Sequence, residues 1–134
     1  MQPPLRWLLL AGYSIALAVA SLAPASDLPS VQFPYLDKII HFGMYAGLML
    51  LLMRAMKIKP AHAARSVIVA LSVCIAYGVL LECGQLLLTK IAGRTFSVAD
   101  IAANTTGAAV ATLALTLRRK SSVSELTLNL LKKR

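Results

Sequence analysis

Four apolar stretches divide the chain. Residues 7–26 carry no charge between Arg6 and Asp27, residues 39–53 none between Lys38 and Arg54, and residues 101–117 none between Asp100 and Arg118. Residues 66–89 hold a single charge, Glu82. A helix that crosses a bilayer needs ~20 residues, so the first and third stretches suffice unaided. The second amounts to only about 22 Å of helix and crosses only if it starts near residues 34–38. The fourth likewise needs its polar approach, from about Ser97. The pattern predicts an all-α integral membrane bundle of four transmembrane helices over residues 1–120, with short loops making most neighbours antiparallel. Residues 121–134 follow as a basic cytoplasmic tail. There Val123, Leu126, Leu130 and Leu131 recur at helical spacing before Lys132-Lys133-Arg134, which reads as a short amphipathic helix on the inner leaflet or a frayed end.

Composition supports a membrane solvent. Hydrophobic residues make up 58% of the 134 and charged residues 14%, against roughly 25% charged in soluble domains. So small a globule cannot hide that much apolar surface from water. The formal charge of +9 would suggest nucleic acid in a soluble chain. Here the bases sit at the edges of the apolar runs, so they act as topology signals and anchors to anionic lipid, and no nucleic-acid partner is expected. Eleven bases lie before the first run, in 54–65 and in the tail, against three (Lys38, Lys90, Arg94) in the alternate loops. The positive-inside rule then places both termini in the cytoplasm. Arg6, the apolar run from Trp7 and Ala23-Pro24-Ala25 also resemble a cleavable signal peptide, which would leave three spans. Pro24 in the cleavage site and the length of the run favour a retained span.

The polar residues inside the spans carry the candidate chemistry. Asp37, His41 and Tyr45 fall at i, i+4 and i+8, one stripe of the second helix, with Lys38 beside them. Glu82 and Gln85 lie late in the third. Arg94, Ser97, Asp100 and Asn104 cross the last loop into the fourth. Rising 1.5 Å per residue, His41 lies about 6 Å, Glu82 and Asn104 about 10 Å and Tyr45 about 12 Å deep, so the three groups fall in the outer half of the membrane. An ionisable residue there is costly, so Glu82 marks either a functional charge or a clamp between helices, paired with Arg94 or Lys38. His41 reads as a general base oriented by Asp37 or Glu82, or as a bridge between helices. Tyr45 reads as a donor packed between helices. Ser97-x-x-Asp100 matches a capping box opening the fourth helix, and no cap explains Asn104. Lys38 and Arg94 flank the mouth, as phosphate ligands or interfacial anchors. Gly43-x-x-x-Gly47 and Ala103-x-x-x-Gly107 are spacings that let helices approach closely. Cys74 and Cys83 lie nine residues apart in one helix and cannot pair. No CxxC or HExxH pattern is present, and neither metal nor cofactor is expected.

The blocks Asp37-Lys38-x-x-His41-x-x-x-Tyr45, Glu82-x-x-Gln85 and Arg94-x-x-Ser97-x-x-Asp100-x-x-x-Asn104-x-x-Gly107 resemble the VanZ-like family of small polytopic bacterial membrane proteins over residues 35–111. The first span and the tail lie outside the resemblance. It implies a multi-pass protein of the bacterial cytoplasmic membrane with a role in the cell envelope. The family's naming member is associated with resistance to the glycopeptide antibiotic teicoplanin. The resemblance implies no biochemical activity.

Three function classes follow. A binding or shielding protein would use Asp37, Lys38, Tyr45, Gln85, Arg94, Ser97 and Asn104 to hold a lipid-linked envelope precursor, a glycopeptide or another amphiphile from outside. An intramembrane hydrolase or transferase would add catalysis by His41, Glu82 and Asp100, although no Ser or Cys nucleophile with a partner is visible. A proton-coupled transporter would use Glu82 as relay, although the polar groups stop in the outer half.

Overall fold

The computed structural model describes residues 3–24, 35–57, 63–93 and 95–131, with side chains of the last helix as far as Arg118. Among the described residues five helices form: α1 (Pro3–Leu22), α2 (Leu36–Ala55), α3 (Ala63–Leu87), the short α4 (Thr89–Ala92) and α5 (Val98–Leu131). No strand occurs among the described residues. Four segments are long and apolar enough to cross a membrane: Pro4–Leu22, Leu36–Ala55, Ala63–Leu87 and Val98–Arg118. The fold is an all-α bundle.

The helix ends follow local chemistry. Pro3 and Pro4 open α1, where a missing N–H costs nothing. Asp37 sits in the first turn of α2 and Arg54 in its last, each opposing the helix dipole. Thus α2 gains the length that its uncharged run lacked. The α3 helix stops at Leu87, and Glu82 lies about 7.5 Å from that end rather than the 10 Å expected from a span reaching Thr89. Gly93, in the left-handed region at φ 62°, closes α4 by donating its N–H to Thr89 O. Ser97 then caps α5: the Asp100 N–H donates to Ser97 Oγ at 3.2 Å. The α5 helix runs unbroken past Arg118 to Leu131, so the described part of the tail is a continuation of the fourth span.

Consecutive spans run antiparallel. Arg6 at the start of α1 donates to Arg54 O at the end of α2, and Gln85 late in α3 reaches Ser21 O late in α1. The most extensive packing, however, joins α2 to α5, which start at the same end and run parallel. The expectation of mostly antiparallel neighbours therefore holds along the chain but misses the main contact. Gly107 explains it: a Cβ there would collide with the Phe42 carbonyl oxygen and lie 2.9 Å from its carbon. Only glycine lets α5 approach the α2 backbone so closely. Gly47 similarly receives the Tyr13 ring of α1, whereas Gly43 faces open space and brings nothing together.

Apolar side chains from all four spans fill the core, among them Leu17, Met49, Leu52, Cys74 and Ala108. Outward, the helices expose Trp7, Leu8, Ile15, Ile68, Leu80 and Leu113. Apolar residues both inside and outside suit a bundle solvated by lipid. The first helix is tied in by polar bonds: Tyr13 donates to Met44 O at 2.9 Å, and Tyr77 of α3 to Ser14 O at 2.7 Å. In an apolar medium such bonds hold helices together.

Candidate polar site at one end of the bundle

The polar groups of α2, α3 and α5 meet where α2 and α5 begin. Because α2 and α5 run parallel in close contact, the first two turns of each lie side by side. Lys38 bridges two carboxylates there, Asp37 at 2.6 Å on its own helix and Asp100 on α5. One turn further, His41 Nδ1 lies 3.0 Å from Asn104 Oδ1. With the amide oxygen placed there, Nδ1 is the donor, and Nε2 is left free of Asn104. That Nε2 lies 3.8 Å from Asp100 Oδ2, beyond a hydrogen bond.

Glu82 enters from α3, 1% exposed. Its Oε2 accepts the Ser97 N–H at 3.0 Å. A capping box would give that N–H to the carboxylate three residues on. Here Asp100 turns away to Lys38, and Glu82 from another helix accepts it instead. Half of the expected box is therefore local, and the other half is supplied across the bundle. The exchange frees Asp100 for the cluster and fixes the start of α5 against α3.

One ligand atom each from His41, Glu82 and Asp100 lies within 4.8 Å of the others, so three residues from three helices share one space. Asn104, 2% exposed, lies beside it. Tyr45 is 1% exposed, and its hydroxyl has no hydrogen-bond partner. That hydroxyl and the Asn104 amide nitrogen sit over Gly78, 3.3 and 3.2 Å from where its Cβ would be. Since Gly78 lies one turn below Glu82 on the same face of α3, the Tyr45 hydroxyl forms the floor of the cluster. The expectation that Tyr45 packs as a buried donor is met in placement, with the donor unspent.

Other candidates fall differently. Gln85 is buried but points to α1, donating to Ser21 O at 2.9 Å, so it clamps helices outside the cluster. Three residues past Glu82 is about 60° short of a full turn, enough to face a different neighbour. Lys38 is committed to two carboxylates and is not a free phosphate ligand. Asp37 is largely exposed at the rim. Ser97 serves as a cap, by its side chain and its N–H. Arg94 lies outside the described residues. The hydroxyl clamps of Tyr13 and Tyr77 onto backbone carbonyls were not anticipated; their signal was the isolated Tyr and Ser in apolar runs. Three carboxylates (Asp37, Glu82, Asp100) against the Lys38 ammonium leave the described cluster formally at −2. It is rich in acceptors.

A family model, VanZ/LLP1, matches residues 6–119. The match takes in α1, so the likeness is wider than the three motif blocks within 35–111. No match was found among curated proteins or solved structures.

Proposed function

The chain belongs to the VanZ/LLP1 family and is a multi-pass membrane protein; from that premise, we propose that it binds the polar head of a lipid-linked envelope component or similar amphiphile, taken up from the extracytoplasmic side. The observation that carries this reading is the convergence of His41, Glu82 and Asp100 from three helices at one end of the bundle. Burying so many acceptors within spans is costly unless a partner meets them. A head group rich in donors, such as sugar hydroxyls, suits the acceptor excess. Its acyl or prenyl tail would lie along the apolar outer surface. The distribution of bases supports a topology with this end outside and both termini in the cytoplasm of a bacterial cell.

A second reading, an intramembrane hydrolase or transferase, is favoured by the oriented imidazole of His41, held at Nδ1 by Asn104 and facing Asp100 with Nε2. A proton pathway is less well supported, because Met49, Leu52, Met53, Ala70 and Cys74 fill the bundle beyond the cluster. Envelope protection against a glycopeptide would follow from shielding the bound lipid.

The test is native mass spectrometry of lipid that stays with the chain on extraction from bacterial membranes. The wild type is expected to retain a head-group-specific lipid that His41→Ala and Asp100→Asn do not. An identical lipid profile for all three would refute binding at this cluster.

A further inference from the structure

The convergence of His41, Glu82 and Asp100 also has the form of a metal site. We propose that these three side chains bind one divalent first-row cation, with Zn²⁺ the fitting ion. This rests on reading the cluster as a functional site, and not on which head group it takes.

The donor set is one imidazole nitrogen and two carboxylates, which suits Zn²⁺ with three protein ligands and an open position. The ligands come from three different helices, so no local sequence motif announces them. Nε2 of His41 and Oδ2 of Asp100 face each other at 3.8 Å, and neither is taken by the bonds that hold its partner atom, Nδ1 to Asn104 and Oδ1 to Lys38. A cation placed between them would be met by both atoms. Ligand bonds of about 2.0–2.2 Å in a tetrahedral site set donors about 3.4 Å apart. The 3.8 Å pair is within about 0.4 Å of that spacing. The 4.8 Å limit on the whole set leaves a closure of at most about 1.4 Å to that spacing, which side-chain rotations would supply on binding.

The second shell is in place as well. Asn104 Oδ1 accepts from His41 Nδ1, which fixes the tautomer that leaves Nε2 to bind. Lys38 holds Asp100 by Oδ1, leaving Oδ2 toward His41. The Ser97 N–H holds Glu82 by Oε2, leaving Oε1. Each ligand is thus gripped by one atom with another to spare. A helix clamp has no use for the spare atoms. A cation would also bring the formal charge of the described cluster from −2 to zero. The unspent, buried Tyr45 hydroxyl lies over Gly78, one turn from Glu82. With its open position, the ion would give an acidic cluster a means to hold an anionic head group such as a lipid phosphate.

The experiment uses the untagged full chain in nanodiscs, stripped with a chelator, dialysed and titrated with Zn²⁺. Bound metal is counted by elemental mass spectrometry, and the visible spectrum is recorded with Co²⁺. One ion per chain is expected for the wild type. His41→Ala and Asp100→Asn should abolish the stoichiometric site and the cobalt band at unchanged helix content. Asn104→Ala should weaken binding by roughly 10–100-fold, as loss of an outer-shell partner does. Absence of stoichiometric Zn²⁺ from the helical wild type would overturn the proposal, as would equal binding by His41→Ala. Lipid retention on the same stripped preparations separates the two readings. Head-group-specific lipid with no metal site overturns the ion alone. A metal site without such lipid upholds the ion and overturns the head-group reading.

Discussion

The close approach of α5 to α2 at Gly107 positions the polar cluster, and its cost can be worked out for Gly107→Ala. The added methyl would lie 2.9 Å from the Phe42 carbonyl carbon and 3.0 Å from its Cα, and closer still to the oxygen. Ordinary contacts are about 3.5–4.0 Å between carbons and little less to oxygen, and the oxygen is the tightest contact, so the helices must part by roughly 1 Å or more. The obstacle is backbone, which no rotamer change relieves. Overpacking of this kind costs about 1–3 kcal/mol. Alanine recovers about 1 kcal/mol of helix propensity, so the expected net loss is about 0–2 kcal/mol. Gly43→Ala is the control, because nothing lies within 4 Å of its Cβ position. It should gain up to about 1 kcal/mol from propensity alone. Since His41 adjoins Phe42 and Asn104 lies one turn before Gly107, separation would also stretch the 3.0 Å contact between them. The assay is reversible unfolding in mixed micelles with increasing SDS, followed by circular dichroism, with both variants beside the wild type. A Gly107→Ala protein as stable as Gly43→Ala would refute the account of the α2–α5 contact.

Ser97→Ala removes the cap on α5 and should cost about 0.5–2 kcal/mol in the same unfolding assay while leaving the N–H bond to Glu82. Gln85→Ala should lose about 1 kcal/mol by freeing Ser21 O yet leave lipid retention unchanged, because its contact is with α1. A parallel fall in retention would put Gln85 back in the site. For topology, single cysteines at Ser30 and His62 in a Cys74→Ala, Cys83→Ala background should differ. An impermeant reagent outside the cell should label position 30 and spare position 62, and the reverse would invert the orientation.

Much of this architecture was legible because bilayer length and helical period act on every residue. The stripe of Asp37, His41 and Tyr45 named the face of α2 that meets α5, and depth put Glu82, Asp100 and Asn104 at the same level. Azimuth was not legible. Glu82 and Gln85 shared a motif but serve different neighbours, since three residues do not complete a turn. The capping box was half right, because its reciprocal carboxylate comes from α3 and local spacing carries no record of it. Lys38 looked like a cation at the mouth, but two carboxylates claim it once α2 and α5 run in parallel. That parallel contact itself depended on Gly107, whose meaning needed the partner backbone.

The central claim is that the buried charge of the cluster recognises a ligand rather than clamping helices, and Glu82→Gln tests it most directly. Glutamine keeps the shape, and its amide oxygen can still accept the Ser97 N–H now held by Glu82 at 3.0 Å. Stability should therefore change by less than about 1 kcal/mol, the worth of one ordinary hydrogen bond. Removing the charge should nonetheless abolish head-group-specific lipid retention, read by native mass spectrometry on protein of normal membrane abundance. A Glu82→Gln chain that folds and retains the lipid as the wild type does would contradict the account and leave Glu82 a clamp.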